Sequence, residues 1–196
     1  MSAGITKRLL ALVMYALFFL LFVGCQRPAG TTGMDVIIKG QEKFPSWLVG
    51  RWKEDEDGWE FVFESNGELS SIVHTLGRVR MEPGKVTRVP MKKGGKSIFE
   101  PGQWSVYLDA DSGKITISIV LEHFYAELGD GTIEGDSRNV FTGQIPPPGS
   151  QSWVLEWTCF RNCRAHTKEY PNFDLSTDPV YGAPDTLVFQ KVEKQN

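Results

Sequence analysis

The segment Trp59-Glu60-Phe61-Val62-Phe63-Glu64 places an aromatic side chain at every second position and is followed directly by Ser65-Asn66-Gly67. A period of two puts those rings on one face of an extended strand. Asn-Gly tolerates the positive φ angles that a tight strand reversal requires. This segment is therefore read as strand and hairpin. It belongs to a longer run, Pro45–Phe63, which holds Trp47 and Gly50-Arg51-Trp52 and reads as an entry turn and first hairpin.

The same grammar continues along the chain. Strands are expected over Leu69–Val79, Val86–Met91, Ile98–Leu108, Ile115–Leu128, Thr132–Gly135, Val140–Ile145, Trp153–Phe160 and Thr186–Val192. Lys92-Lys93-Gly94-Gly95-Lys96 reads as an open loop. Pro146-Pro147-Pro148-Gly149 cannot sit inside a sheet. No sustained 3.6-residue apolar period appears after the first 25 residues. Eight to ten short strands in about 150 residues make one all-β domain. The expected form is a small antiparallel up-and-down β-barrel, with a sandwich as the alternative; closing a barrel removes exposed strand edges.

The N-terminus indicates export. Lys7 and Arg8 precede the apolar run Leu9–Val23, about 15 residues against the roughly 20 of a membrane span. Leu21-Phe22-Val23-Gly24-Cys25 resembles the lipobox of a bacterial lipoprotein signal, with Phe22 where Leu is commonest. The resemblance implies a signal peptide over residues 1–24 and a lipid (palmitate among its chains) on Cys25. Gln26 after the cysteine favours the outer membrane, with the domain facing the periplasm. An uncleaved anchor helix is the alternative. Residues 25–43 are then a flexible tether and residues 44–196 the folded domain. The whole chain has 21 basic and 24 acidic residues, a net charge of −3. Such a mixed, mildly acidic surface lacks the clustered cations of a nucleic-acid footprint.

Gly50-Arg51-Trp52 is similar to the glycine-x-tryptophan signature that opens the first strand of lipocalins. The flanking Trp47-Leu48-Val49, the Trp59–Phe63 alternation and Thr186–Val192 resemble lipocalin-like domains of bacterial lipoproteins. The resemblance implies a tryptophan, Trp52, packed across the closed barrel end under a basic residue of the last strand. Lys191 stands where lipocalins have Arg. The resemblance also implies a small apolar ligand. Phe61, Phe63, Trp104, Ile117, Ile119, Phe141, Trp153 and Trp157 are the residues expected to line its pocket. An eight-stranded interior either fills with side chains or holds one small ligand, so a packed core that docks an envelope protein is the alternative.

Cys159-Phe160-Arg161-Asn162-Cys163 is the sharpest local motif. As a hairpin tip it would bring Cys159 and Cys163 to about the 5.5 Å Cα separation that a disulfide needs. In one extended strand they would stand roughly 13 Å apart and could not pair. His166 adds a Cys-x3-Cys-x2-His pattern, a soft-metal site short of a fourth ligand. Asp109-Ala110-Asp111-Ser112-Gly113 looks like half a calcium loop, but Val120 stands where its bidentate Glu belongs. It and Glu54-Asp55-Glu56-Asp57-Gly58 read as solvated hairpin turns. No catalytic or cofactor motif is present, and non-enzymatic function is expected. A hydrolase would have to gather His74 or His123 with a carboxylate in a cleft.

Overall fold

The computed structural model describes residues 33–75, 78–90, 95–128, 130–167, 173–174 and 182–193. The expected signal peptide and the expected lipidation site, Cys25, lie outside these residues. Among the described residues the structure is all-β, with strands β1 (Met34–Lys39), β2 (Gly50–Glu54), β3 (Glu60–Phe63), β4 (Leu69–His74), β5 (Val79–Met81), β6 (Thr87–Pro90), β7 (Lys96–Pro101), β8 (Trp104–Asp109), β9 (Lys114–Leu128), β10 (Gly131–Gln144), β11 (Ser152–Thr167), β12 (Phe173–Asp174) and β13 (Pro184–Val192).

They form one mixed sheet in the order β1-β8-β9-β10-β11-β13-β2-β3-β4-β5, with β6, β7 and β12 attached beside that path. The expected closed, wholly antiparallel barrel of eight to ten strands is therefore corrected: β1 and β5 end the path unpaired with each other, and β1 runs parallel to β8. β1 is part of what reads as tether in the sequence. Val36-Ile37-Ile38 pairs with β8 in register instead, and among the described residues strand pairing begins at Met34. A groove of about 380 Å3 is lined by Met34 and Val36 of β1, by Leu69 and Ser70 of β4, and by Glu82 and Pro83 just after β5.

Three long strands, β9, β10 and β11, form the backbone of the sheet. The two short strands expected over Thr132–Gly135 and Val140–Ile145 are one strand, β10, with a register shift between Gly135 and Ser137. Gly135 permits it: a Cβ there would stand 2.1 Å from the carbonyl oxygen of Asn162 on β11. The expected strand over Ile98–Leu108 is divided into β7 and β8, both pairing with β9. At the break Gly102 lies so close to β9 that a Cβ would meet Glu122 Cγ at 2.7 Å.

β11 supplies the main local correction. It runs unbroken through Cys159-Phe160-Arg161-Asn162-Cys163, paired with β10 as Asn139↔Cys159 and Gly135↔Cys163. No hairpin tip forms there. Four residues of strand separate the two cysteines by roughly 13 Å, and they are not bridged to each other. Of the other turns, Gly67 adopts φ 93° and its N–H donates to the Glu64 carbonyl at 3.1 Å. The irregular segment Tyr170–Pro184 and the Lys92–Gly94 part of the Lys92–Lys96 loop fall largely outside the described residues, although Pro184 itself opens β13.

Candidate functional site

Every residue expected to line an apolar pocket is in the packed interior. Phe61, Phe63, Trp104, Ile117, Ile119 and Phe141 have no exposed surface, Trp153 retains 2%, and Trp157 packs against the same cluster from its edge. Their rings touch in sequence. Phe44 meets Phe63 edge-on at 5.2 Å, Phe63 meets Trp153 at 5.8 Å, and Trp153 meets Phe189 at 5.9 Å. Phe189 stacks on Phe61 at 5.1 Å, Phe61 meets Phe141 at 5.0 Å, and Phe141 meets Trp59 at 4.9 Å. These are the offset and edge-to-face spacings that aromatic pairs prefer. The rings thus fill the space that a ligand would need.

Three buried indole N–H groups find backbone acceptors. Trp52 donates to the Leu48 carbonyl at 2.8 Å, Trp104 to Val120 at 3.0 Å and Trp153 to Gln144 at 2.8 Å. Among the described residues, the Trp59 indole nitrogen alone is a buried side-chain polar atom without a hydrogen-bond partner.

At the Phe44 end, Leu48 N–H donates to the Pro45 carbonyl and closes the entry turn. Lys191, paired with Trp52 across β13 and β2, lays its ammonium 5.3 Å from the Trp52 ring centroid. Gly50 takes φ 123°, outside the range that residues with a Cβ readily adopt. Outside this end lies an open groove of about 950 Å3 bounded by Gly50, Arg51, Val62, Phe63 and Lys191. Of the pocket candidates, Phe63 borders this groove.

The opposite end is polar. Trp59 meets the ring of His74 at 4.7 Å, and beyond His74 opens a cavity of about 200 Å3. β4 contributes His74, β9 Phe124, β10 Ile133, Ser137 and Asn139, and β11 Cys159, Arg161 and Cys163. The three β11 residues share a face because strand side chains alternate. Trp157 Nε1 donates to Asn139 Oδ1 at 3.1 Å. That fixes the amide so that its Nδ2 faces His74 Nε2 and Ser137 Oγ, each at 3.4 Å. His74 Nε2 then accepts, which is the neutral ring. Burial, helped by the nearby Arg161 charge, pushes the His74 pKa down to about 3.

The other sequence-marked groups lie elsewhere. His123 contacts Glu100 at 3.9 Å with both side chains nearly half exposed, and His74 faces the Asn139 amide; among the described residues that line this cavity there is no carboxylate. His166 points outward from β11. No group of three metal-binding side chains exists among the described residues. Glu54 turns inward and accepts the N–H groups of Glu56, Asp57 and Gly58 at 2.7, 2.7 and 2.9 Å, tying down its own hairpin loop. Asp109 does the same for Asp111 and Ser112.

Sequence reading missed Ser137 and Asn139 because they fell in the gap between the two short strands expected where β10 runs unbroken, and Arg161 because the break assigned at Cys159 hid the parity of β11. Carried through from Trp153 and Trp157, that parity turns Cys159, Arg161 and Cys163 inward. The chain matches no protein-family model, no curated protein and no solved structure.

Proposed function

We propose that this chain is a lipid-anchored lipoprotein of the bacterial envelope, whose lipocalin-like domain docks a protein partner through its exterior. The ring column from Phe44 to His74 carries this reading, because a solid aromatic core leaves no room for a lipid-sized guest. The lipocalin-like assignment rests on Gly50, Trp52 and the position of Lys191, with the barrel opened between β1 and β5. The anchor rests on Cys25 and the leader before it. An outward-facing partner site suits the open edge strand β1, where Ile37 is 60% exposed beside its register partner Tyr107 at 42%. An unpaired edge offers backbone groups to an added strand.

Two experiments test this. Native mass spectrometry of the mature protein from its own membranes should show no lipid-sized mass beyond the covalent anchor. A bound lipid that organic solvent strips away overturns the packed-core reading. A photoreactive residue at position 37, introduced into the membrane-bound protein, should crosslink a discrete envelope protein; crosslinks no stronger than from an outer-face position on β11 overturn the docking face. Cys25→Ser should release the protein from membranes, and retention of an uncleaved, membrane-bound form refutes the anchor.

A further inference from the structure

The cavity beyond His74 is unlike the rest of the interior. Its lining carries one guanidinium, Arg161, and no carboxylate. Among the described residues Arg161 has no acidic partner; its Nη2 reaches Cys159 Sγ at 3.7 Å. An arginine without a carboxylate at the mouth of a concave site is a ready partner for one, because its planar fork matches the two oxygens. The Arg161 charge is felt within the cavity, since it disfavours the protonated form of His74.

Deeper in, the donors are neutral and held in place. Asn139 is 1% exposed and Ser137 4%. Because Trp157 occupies Asn139 Oδ1, the amide can present only its Nδ2 hydrogens toward the cavity side. Its contacts with His74 Nε2 and Ser137 Oγ, at 3.4 Å each, are long. A better acceptor placed between them would shorten and strengthen that bonding. Phe124, Ile133 and Cys163 give the lining an apolar side, and Thr75 adds a hydroxyl beside His74.

Size narrows the ligand. At about 30 Å3 for each water-sized group, about 200 Å3 holds roughly six non-hydrogen atoms. We propose that this cavity binds a small monocarboxylate with a short apolar tail, its carboxylate at Arg161 and Asn139 and its tail against Phe124 and Ile133. The site lies past the end of the ring column, so it neither requires nor disturbs the packed core, and it stands independently of the docking reading. A short acid is also far lighter than a lipid, so the two mass signatures are distinct.

The test uses the full lipidated protein in detergent micelles, with sodium butyrate as probe. Saturation transfer from protein to the butyrate methyl group, read by NMR as a titration, should be saturable. Arg161→Gln should weaken binding at least about tenfold, and Arg161→Lys should weaken it less. Arg161 is solvent-exposed at the rim, so neither variant disturbs the fold. Uncharged butyramide and inorganic phosphate should fail to saturate, the first for want of charge and the second for want of a tail. The proposal is overturned if butyrate shows no saturable transfer, if Arg161→Gln binds as wild type does, or if butyramide or phosphate binds as tightly as butyrate.

Discussion

Lys191 covers Trp52: its ammonium stands 5.3 Å from the ring centroid while donating a 2.5 Å hydrogen bond to the carbonyl oxygen of Trp47. One side chain from the last strand thus holds both the buried tryptophan of β2 and the turn that leads into it. Replacing it with Lys191→Met removes the charge and the donor while keeping most of the apolar stem. We expect a loss of about 1–3 kcal/mol, seen as a lower urea midpoint with unchanged slope. Lys191→Arg should recover most of it. A Lys191→Met midpoint equal to wild type would show that the contact contributes nothing to stability.

The two cysteines of β11 should behave independently of each other. The unreduced domain should have the mass of the dithiol, not two hydrogens less. Alkylation under native conditions should reach half-buried Cys159 before buried Cys163. A peptide map with the two residues linked would contradict the continuous strand.

His74 makes stability depend on pH. Its folded pKa, about 3, lies below the ordinary histidine value of 6.5. Between those values the unfolded chain binds a proton that the folded one refuses, so acid favours unfolding. The contribution is whole above about pH 6.5 and is lost progressively toward pH 3, at about 1.4 kcal/mol per pH unit. Comparing wild type with His74→Gln from pH 7 to pH 5 isolates it from carboxylate titration. Parallel stability curves for the two proteins would rule it out.

Gly135→Ala should destabilise although the glycine has an ordinary strand conformation. The added carbon would meet the Asn162 carbonyl oxygen at 2.1 Å and Cys163 Cα at 2.7 Å. Both are backbone atoms, so β10 and β11 must separate. The cost should be about 1–3 kcal/mol by chemical denaturation. Gly149→Ala serves as a control for glycine entropy, because a Cβ there meets nothing within 4 Å, although its φ of 81° adds local strain. A Gly135→Ala protein as stable as wild type would mean that the two strands are farther apart.

What could be read from the sequence was what short-range chemistry decides. Trp59, Phe61 and Phe63 alternate into the core, Asn66-Gly67 turns the chain, and Asp109 closes its own turn. Long-range pairing was less accessible. Val36-Ile37-Ile38 is too short to declare itself a strand; its partner β8 lies about 70 residues further on, as the Lys39–Asp109 contact shows. Phe160-Arg161-Asn162 has the composition of a turn, yet β10 pairs with it residue by residue and overrides that local preference. The polar cavity needed the parity of four separate strands at once, so no local motif announced it.

The pairing of β13 with β2 has a consequence in time. It joins residues far apart in the chain, and the Lys191–Trp47 bond spans 144 positions. β2 and β3 make a local hairpin, but the other neighbour of β2 in the sheet is β13, the last of the described strands in chain order. A topology so rich in distant partners belongs to the slow end of the folding scale, milliseconds to seconds. The column of rings stays incomplete until Phe189 arrives. Until that strand docks, the apolar faces of β2 and β3 stay uncovered, and the interior becomes solid only late in folding.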